Sequence, residues 1–477
     1  MSQNAFRERN AVTQPIDTLT RAFGDAVLTD PHAMAPHLTA WFRDRTGSAL
    51  AVLRPRDTAQ VQEMVRACAG LGLTIVPQGG NTGLVDGALP DGGDTEICLS
   101  LTRMTRIRAI DADDYSATVD AGCTLQSVKD AVAEHDLFLP LSIGSQGTSQ
   151  IGGTISTNAG GINVLRYGMM RDQVLGLEVV LADGTLWNGL STLRKNNTGP
   201  DLKQLFIGAE GTFGIVTAAA LRLVPRPTAT AAALVAMPGL DATLATFHLA
   251  RRACSDLLSA FEFLMPPALA LAREVQADTP DLGDASSVYA LIELAAPGPV
   301  DLDALLHGFL EQAMESGHVT DGVVASSRAQ GDRLWAIRES VNEAQARRGA
   351  FMRSDVSVPL SDLPAFTRAA CDAIEAASPG ARAVAYGHFG DGNVHLNVLP
   401  PDGADPDTIE TVFKRSKDIL NGIVDTFQGS ISAEHGIGRL KRADFHARLH
   451  GPADTMLARL KSALDPDGRM NPGSLHR

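Results

Sequence analysis

The chain has 477 residues, of which 44% are apolar, and its 41 basic and 55 acidic residues give a net charge of −14. A chain of this length and composition can bury more than one core, so we expect two or three domains. The negative charge opposes binding to nucleic acid and to anionic membrane surfaces, so we expect no nucleic-acid partner.

The five cysteines are widely spaced and form no Cys-x-x-Cys pair: Cys68, Cys98, Cys123, Cys254 and Cys371. This pattern argues against a disulfide framework and a cysteine zinc site, and it favours a reducing compartment. No window approaches the roughly 18 apolar residues of a spanning helix. The first residues also lack the apolar core of a secretory signal. We therefore expect no transmembrane segment and a cytoplasmic location.

The first half contains short strands interrupted by glycine-rich loops. Residues 1–48 are interpreted as N-terminal lead-in helices. From Ala49 the segments ALAVLRP, AQVQEMVRACAGLG and TIVPQGG predict a βαβ-like unit that ends in a glycine-rich loop. Further strands are predicted in ICLSL, IRAIDADDYSATVDAG, VLGLEVVLADGTLW and GIVTAAALRLVPRP.

The second half alternates longer helices with strands after a boundary near residue 226, where Pro225 and Pro227 interrupt the chain. Helices are predicted over residues 241–253, 301–317, 361–377, 406–427 and 452–464, and strands in VYALIELA and AVAYGHF. This alternation predicts an antiparallel sheet covered by helices.

Three glycine-rich segments follow one another in the first half, at Val76–Leu84, Leu141–Gly161 and Gly208–Val216. Without a Cβ, their backbone N–H groups can turn toward an anion or lie along an extended polar ligand. Taken singly, each segment could be an ordinary turn. Neither GxGxxG after a first strand nor GxxxxGK[ST] occurs, which argues against a Rossmann domain and a Walker P-loop.

The motifs in these segments resemble the FAD-binding half of the vanillyl-alcohol-oxidase-type flavoproteins. They are QGGNTG at 78–83, IGG at 151–153, TNAGG at 157–161, LRYG at 165–168 and GAEGT at 208–212. The resemblance covers about residues 45–477 and is closest to the branch of D-2-hydroxyglutarate and D-lactate dehydrogenases. It implies an α+β protein with a two-part FAD-binding domain of the PCMH type, an α+β substrate cap domain with an antiparallel sheet, and a C-terminal helical return.

The resemblance also implies domain limits: lead-in 1–48, FAD-binding domain 49–226, cap domain with a metal site 227–440, and a segment 441–477 that returns to the flavin. Neither His nor Cys occurs in 78–84 or 141–161, so the FAD is expected to be non-covalent. By the resemblance, the cofactor-binding residues are Pro77, Gln78, Gly79, Gly80, Asn81, Thr82, Gly83, Leu84, Leu141, Ser142, Gly144, Gly147, Thr148, Ile151, Gly152, Gly153, Thr157, Asn158, Gly160, Gly161, Glu210, Gly211, Ile215, Val216 and Asn471.

A histidine and carboxylate cluster is predicted in the second half. HFGDGNVH at 388–395 places a turn between two apolar strands, so His388 and His395 can converge across it. Together with Glu434 of SAEHGIG they form a set suited to Zn²⁺ or Mn²⁺. An isolated histidine is more often a surface or core residue, and the family's HxGDGNxH and SAEHGIG motifs strengthen the ligand interpretation. By the same resemblance His435 faces the substrate, whereas Asp391 is expected to shape the turn. The later histidines His446, His450 and His476 are interpreted as surface residues.

Charged and polar residues for the substrate are also carried over from the family. Arg338 lies in a WxxRE segment, expected to open a helix, and its planar guanidinium suits a carboxylate. Asn342 lies four residues on, on the same helical face. Arg353 stands where hydroxyglutarate-type members have a lysine, and Asn397 follows the second histidine. Two cations favour a dicarboxylate such as 2-hydroxyglutarate or malate over lactate.

The predicted reaction is oxidation of a D-2-hydroxy acid to the 2-oxo acid, with hydride passing to FAD and His435 acting as base. Arg338 would assist as a second catalytic residue. The expected electron acceptor is an electron-transfer flavoprotein or a quinone, and a homodimer is one open arrangement. Alternatives are a D-lactate or glycolate dehydrogenase, an oxidase that uses O₂, a flavin-binding protein without turnover, and a zinc-dependent hydrolase.

Overall fold

The computed structural model describes residues 14–284 and 287–476. Residues 1–13, which include the N-terminal stretch considered for a secretory signal and part of the lead-in, lie outside this range. The chain divides into two compact units. Unit 1 comprises Met1–Gly161, Gly168–Pro225 and Glu434–Arg477, and unit 2 comprises Ile162–Tyr167 and Arg226–Ala433.

The strands are, in chain order, β1 (Val27–Leu28), β2 (Ala51–Leu53), β3 (Thr74–Gln78), β4 (Glu96–Ser100), β5 (Ile107–Asp111), β6 (Ser116–Asp120), β7 (Leu137–Phe138), β8 (Val174–Val180), β9 (Leu186–Gly189), β10 (Ile215–Arg222), β11 (Val224–Pro225), β12 (Ala229–Met237), β13 (Leu258–Leu264), β14 (Val288–Ala296), β15 (Asp321–Val324), β16 (Val356–Ser357), β17 (Arg382–His388) and β18 (Asn393–Leu399).

The α-helices are α1 (14–23), α2 (Pro31–Leu38), α3 (Thr58–Gly70), α4 (Leu125–Ala133), α5 (Ile151–Ser156), α6 (Val164–Tyr167), α7 (Met170–Gln173), α8 (Leu240–Cys254), α9 (Pro266–Val275), α10 (Leu302–Glu315), α11 (Arg328–Arg348), α12 (Leu363–Ala377), α13 (Pro406–Thr426), α14 (Arg442–Arg448) and α15 (Pro452–Leu464). Among the described residues, none of these helices combines the length and the apolarity needed to cross a membrane.

Unit 1 contains two larger sheets that share one apolar core, together with a two-stranded sheet of β7 and β11. The first has the order β1-β2-β4-β3, in which β2 and β3 are each parallel to β4. The predicted βαβ-like unit is thus correct in its elements, but β4 lies between its two strands. The second sheet is antiparallel with the order β5-β6-β10-β8-β9. Helix α3 begins where Asp57 accepts a hydrogen bond from the Gln60 N–H, and it buries Val61 and Met64 in this core.

The C-terminal segment of unit 1 returns to the strand that precedes the first glycine loop. The Ile75 N–H donates to the Arg469 carbonyl, and the Asn471 N–H donates to the Ile75 carbonyl. Lys461 of α15 secures this return, because its Nζ donates to the Met470 and Thr212 carbonyls at 2.9 and 2.8 Å.

Unit 2 is built on an antiparallel sheet with the order β15-β12-β14-β13-β17-β18-β16, as the alternation of strands and helices predicted. Helices α9 and α11 pack on it through apolar residues such as Leu269, Leu271, Leu334 and Val341. The expectation that the Trp335 segment opens a helix is wrong, because α11 begins at Arg328. Ser327 caps that end by accepting a hydrogen bond from the Gln330 N–H at 3.3 Å.

Candidate functional site

The first glycine loop begins with a glutamine whose side chain is used inside unit 1. The Gln78 Nε2 donates to the His37 and Ala88 carbonyls at 2.8 and 2.9 Å, and its Oε1 lies 2.8 Å from the His37 Nδ1. Burial lowers the pKa of His37. Gln78 therefore fixes the loop onto helix α2, and its amide is not turned outward.

The first and second glycine loops lie directly against each other. A Cβ on Gly80 would stand 2.0 Å from the Thr148 carbonyl oxygen, and one on Gly79 would stand 3.3 Å from the Gly153 nitrogen. The Thr82 hydroxyl adds a hydrogen bond of 2.9 Å to Ser149. These glycines are required because two backbone segments meet where a side chain would otherwise stand. Gly83, Gly144 and Gly147, in contrast, have open space at the Cβ position.

The second loop ends in a turn that only glycine fits. Gly161 has φ +118°, and a Cβ there would lie 2.1 Å from the Ser142 carbonyl oxygen. Its N–H donates to the Glu434 carboxylate, at the start of the C-terminal segment of unit 1. Asn158, with φ 49°, accepts a hydrogen bond from the Arg171 N–H at 2.9 Å. Of the other predicted residues here, Leu141, Ile151, Gly152 and Gly160 are buried, whereas Ser142, Gly153 and Thr157 are half-buried and Thr148 is exposed.

The third loop holds the C-terminal segment through the buried Glu210. Its two carboxylate oxygens accept hydrogen bonds of 2.7 Å from the Ile437 and Gly438 N–H groups, and its carbonyl accepts one from the Asn471 Nδ2. Burial raises the pKa of Glu210. The side chain of this predicted cofactor-binding residue therefore holds the turn that follows His435. Ile215 and Val216 are paired in β10 with Val180 and Val179.

The glycine loops fit an extended cofactor that is contacted through backbone. Gly80 and Gly161 mark places where any side chain would collide with the neighbouring loop. Asn471 offers a buried Oδ1 that has no hydrogen-bond partner among the described residues. A buried acceptor of this kind needs a donor from a ligand or from water.

In unit 2 the two predicted histidine ligands face each other across a hairpin. His388 ends β17, Gly392 provides the left-handed residue of the turn with φ +80°, and His395 lies in β18. The ring centroids lie 5.4 Å apart, and a nitrogen of each ring lies within 4.8 Å of the other. The predicted convergence is confirmed, and two imidazoles at this separation can share one divalent cation. Asp391 is exposed and its carboxylate accepts from the Asn393 N–H at 3.4 Å, as expected for a turn residue.

Sequence reasoning missed a buried carboxylate that joins two of the predicted residues. Glu262 of β13 is 1% exposed, and its Cα is the cross-strand partner of His388. Its Oε1 lies 2.6 Å from the His388 Nδ1, and its Oε2 accepts from the Arg338 Nε at 2.8 Å. Burial alone would raise the pKa of Glu262, but His388 and Arg338 hold it below its ordinary value. A single acidic residue in the apolar strand LSAFEFL was the available signal.

Tyr386 brings the predicted substrate residues of unit 2 together. The Arg338 guanidinium lies 4.8 Å from the centre of its ring, and its hydroxyl donates to the Asn342 Oδ1 at 2.6 Å. The same hydroxyl accepts from the Asn397 Nδ2 at 3.2 Å, and that amide also donates to Gln345 at 2.7 Å. Burial raises the pKa of Tyr386, so its hydroxyl stays protonated. Arg338 and Asn342 thus share one face of α11, as predicted.

Asp355 and Arg353 occupy opposite environments although they are two residues apart. Asp355 is fully buried, accepts a hydrogen bond of 2.9 Å from Asn393, and lies 3.6 Å from the His395 Nδ1. Arg353 is exposed, and its guanidinium lies over the Phe351 ring at 4.6 Å. The sequence indicated no role for Asp355 and gave Arg353 as a substrate-binding residue.

The histidines of the C-terminal segment differ from one another. His450 is exposed, as expected from the sequence, and His446 is half-buried with its Nε2 at 2.9 Å from the Leu475 carbonyl. The interpretation of His476 as a surface residue is wrong. It is buried against Phe213, and burial lowers its pKa to about 4.

Two family models match this chain. The model described as "FAD binding domain" matches residues 49–189, and the model described as "FAD linked oxidases, C-terminal domain" matches residues 226–475. The fold and these matches define an FAD-dependent oxidoreductase, and the chain belongs to the family of FAD-linked oxidases.

Within this family the chain is similar to proteins named D-2-hydroxyglutarate dehydrogenase. The Bos taurus protein of that name is 40% identical over 95% of this chain and 82% of its own length. The Xanthomonas citri protein is 37% identical over 94% of this chain and 93% of its own length. A solved structure of p-cresol methylhydroxylase with substrate bound has a TM-score of 0.73 at 18% identity, covers 99% of this chain and 97% of its own, and shares the fold.

These findings confirm the predicted family, fold class, enzyme class and FAD, and they remove the hydrolase alternative. They contradict the predicted cytoplasmic location, because the relatives from Bos taurus, Danio rerio, Rattus norvegicus and Arabidopsis thaliana are named as mitochondrial. The name of the bacterial relative gives no location. Cysteine usage separates reducing from oxidising surroundings, and it could not separate one reducing compartment from another.

Proposed function

We propose that this enzyme oxidises D-2-hydroxyglutarate, or a similar dicarboxylate such as D-malate, to the corresponding 2-oxo acid. The observation that carries the proposal is the buried Arg338, which pairs with Glu262, the same carboxylate that contacts His388. A buried cation suits a carboxylate substrate. The names of the relatives from Bos taurus and Xanthomonas citri support the choice of hydroxyglutarate.

The glycine loops of unit 1 would hold FAD without a covalent bond. The proposed contacts are the backbone of Gly79–Leu84 and Leu141–Gly161, with the buried Asn471 Oδ1 accepting a hydrogen bond from the cofactor. The close packing of Gly80 on Thr148 and of Gly161 on Ser142 supports this, because each leaves only backbone at the surface. FAD, when bound, accepts the hydride that leaves C2 of the hydroxy acid.

His388, His395 and Glu434 are proposed to hold Zn²⁺ or Mn²⁺. The close approach of the two imidazoles supports a shared ion, and the contact from Glu262 to the His388 Nδ1 leaves Nε2 as the ligand atom. Glu434 adjoins unit 2 by sequence, directly after Ala433. A divalent cation, when bound, lowers the pKa of the substrate hydroxyl and orients it.

His435 is proposed to take the hydroxyl proton as the C2–H bond breaks, so that one proton and one hydride leave the substrate. Imidazole suits this task because its ordinary pKa lies near neutral pH. Glu210 supports the assignment, because it anchors the Ile437 and Gly438 N–H groups that follow His435.

Arg338 and Asn342 are the proposed substrate-binding residues of α11. Among the described residues, the terminal nitrogens of Arg338 have no hydrogen-bond partner, so both can grip a carboxylate. Asn397 is proposed to act through Tyr386, because its Nδ2 already donates to Tyr386 and Gln345. The exposed Arg353 is proposed to bind the distal carboxylate. An electron-transfer flavoprotein or a quinone is the proposed acceptor, and a homodimer is the proposed assembly.

The test is a comparison of kcat/KM for D-2-hydroxyglutarate, D-malate, D-lactate, glycolate and L-2-hydroxyglutarate with an artificial electron acceptor. The proposal predicts the highest value for a D-dicarboxylate, and a value at least about tenfold lower for D-lactate, which lacks the distal carboxylate that Arg353 would bind. Comparable turnover of D-lactate would instead favour a D-lactate or glycolate dehydrogenase. The exposure of Arg353 is the observation that favours that second candidate.

A further inference from the structure

Glu262 occupies a position that no sequence motif indicates. It lies in the middle of β13, and the strand around it is buried at every residue. Each carboxylate oxygen has a different partner, since Oε1 approaches the His388 Nδ1 at 2.6 Å and Oε2 accepts from the Arg338 Nε at 2.8 Å. With 1% exposure, the carboxylate has no access to bulk water.

We infer that Glu262 is a positioning residue that fixes a metal-binding histidine and the substrate-binding arginine in one geometry. The inference rests on the proposed function, and it adds a residue to which neither the family motifs nor the sequence assigned a role. The Glu262 Oε1 approaches Nδ1 of His388 at 2.6 Å, so Nε2 is the ring atom that remains for the proposed metal.

The same carboxylate decides which edge of the guanidinium is offered to the substrate. Arg338 donates its Nε to Glu262, so a side-on grip through Nε is closed and the two terminal nitrogens remain. The Tyr386 ring under the guanidinium, at 4.8 Å, keeps the plane of that group fixed. Glu262 thereby links the orientation of the proposed carboxylate grip to the orientation of the proposed metal ligand.

The hairpin that carries His388 has a rigid support next to Glu262. Phe389, directly after the histidine, is fully buried and packs edge-on against Phe263 at 5.5 Å and against Phe261 at 5.9 Å. Phe261 and Phe263 flank Glu262 in β13. The strand therefore fixes the hairpin backbone with its aromatic residues and fixes the histidine ring with its carboxylate.

Unit 2 provides a matched control on the neighbouring strand. Glu293 of β14 is a half-buried sheet carboxylate that also contacts α11, but its partners are the Trp335 Nε1 at 2.8 Å and the Ser259 hydroxyl at 2.8 Å. These partners are neutral, and burial raises the pKa of Glu293. Glu293 touches neither Arg338 nor His388, so it tests the cost of changing a sheet glutamate alone.

The experiment compares Glu262→Gln with Glu293→Gln in the FAD-loaded enzyme. The amide of Gln at position 262 turns an N–H₂ toward either His388 or Arg338. One of these two contacts is therefore lost. We expect a 10–100-fold loss of Mn²⁺ or Zn²⁺ affinity, measured by chelator competition. We also expect a rise in KM for the D-dicarboxylate and weaker binding of the 2-oxo acid. This binding is measured through the change in flavin absorbance.

Glu293→Gln is expected to keep both affinities within about twofold of the wild type, because Glu293 contacts neither the proposed metal ligand His388 nor Arg338. Glu262→Asp keeps the charge but reaches only one partner, and we expect an intermediate loss in at least one affinity. Wild-type affinities in both Glu262 variants, or equal losses in Glu262→Gln and Glu293→Gln, would overturn the inference. If the wild-type protein bound neither Mn²⁺ nor Zn²⁺, the proposed metal site would be contradicted. Binding of the 2-oxo acid to the Glu262 variants would then test whether Glu262 positions Arg338.

Discussion

Unit 1 forms its functional surface mainly from backbone atoms, whereas unit 2 forms its functional surface from side chains. In unit 1 the glycine loops present backbone. A Cβ on Gly80 or Gly161 would lie only 2.0 or 2.1 Å from a carbonyl oxygen, well inside van der Waals contact. In unit 2 the cluster around Glu262 and Tyr386 presents side chains from β13, β17 and α11. The first design is sensitive to added volume, whereas the second is sensitive to the loss of one charge.

The largest expected effect on the free energy of unfolding comes from removing the buried charge of Arg338 in unit 2. Arg338→Met leaves the buried Glu262 without its arginine partner, and a buried ion pair broken on one side costs about 3–5 kcal/mol. Arg347→Met on the same helix removes an exposed pair with Glu343, for which about 1 kcal/mol or less is expected. Denaturant unfolding of both variants measures the difference. Equal free energies of unfolding would contradict the contrast between buried and exposed pairs.

Unit 1 contains the buried His476, whose Nε2 contacts the Thr212 hydroxyl. Its contribution to the free energy of unfolding should depend on pH. Burial lowers the pKa of His476 from 6.5 to about 4. Between these values the unfolded chain binds a proton that the folded chain does not. The free energy of unfolding should therefore fall as the pH drops through this window, by at most about 3 kcal/mol.

His476→Gln should flatten this part of the pH profile, and His450→Gln, at an exposed position, should leave the profile unchanged. The measurement is the denaturant midpoint as a function of pH. If His476→Gln kept the full slope of the wild type, another group would be responsible for it.

A next, smaller effect is expected from added volume in the glycine loops of unit 1. Gly80→Ala drives a methyl group into the Thr148 carbonyl, which we expect to cost about 1–3 kcal/mol and to weaken FAD retention. Gly83→Ala, in the same loop, has open space at its Cβ and should retain FAD as the wild type does. The flavin-to-protein absorbance ratio after gel filtration measures retention. Similar ratios for the two variants would show that the loops yield to added volume.

The smallest effect is expected from Glu210, whose side chain holds the C-terminal turn of unit 1. Glu210→Gln keeps one acceptor and turns an N–H₂ group toward the other backbone N–H of the Ile437–Gly438 turn. We expect a loss of roughly 1–2 kcal/mol in the free energy of unfolding. FAD content should stay near that of the wild type, because the carboxylate faces the turn. Loss of FAD with no loss of stability would return Glu210 to the cofactor-binding residues.

The difference between the units also explains what the sequence could predict. Close approach of two backbone segments requires glycine, so the loops of unit 1 appear as short motifs such as QGGNTG and TNAGG. The alternation of HFGDGNVH similarly predicts the hairpin that joins His388 and His395. Both are local relations along the chain, and both are present in the structure.

The missed residues depend on contacts between distant parts of the chain. Glu262, Arg338 and His388 meet because β13 pairs with β17 and α11 packs across the sheet, and no periodicity specifies that register. Gln78 and Glu210 were expected to face the cofactor, but their side chains bind α2 and the C-terminal turn. A motif shows which residues are required at a position without showing the direction in which each side chain points.

The central claim is that this chain oxidises a D-2-hydroxy acid with FAD and that His435 removes the proton. The most direct measurement is the visible absorption spectrum of the purified, FAD-loaded protein, recorded without air before and after addition of D-2-hydroxyglutarate. We predict that the flavin bands bleach in the wild type and in His450→Ala, and that they persist in His435→Ala. A flavin that stays oxidised with every D-2-hydroxy acid, or one that bleaches equally fast in His435→Ala, would contradict the account.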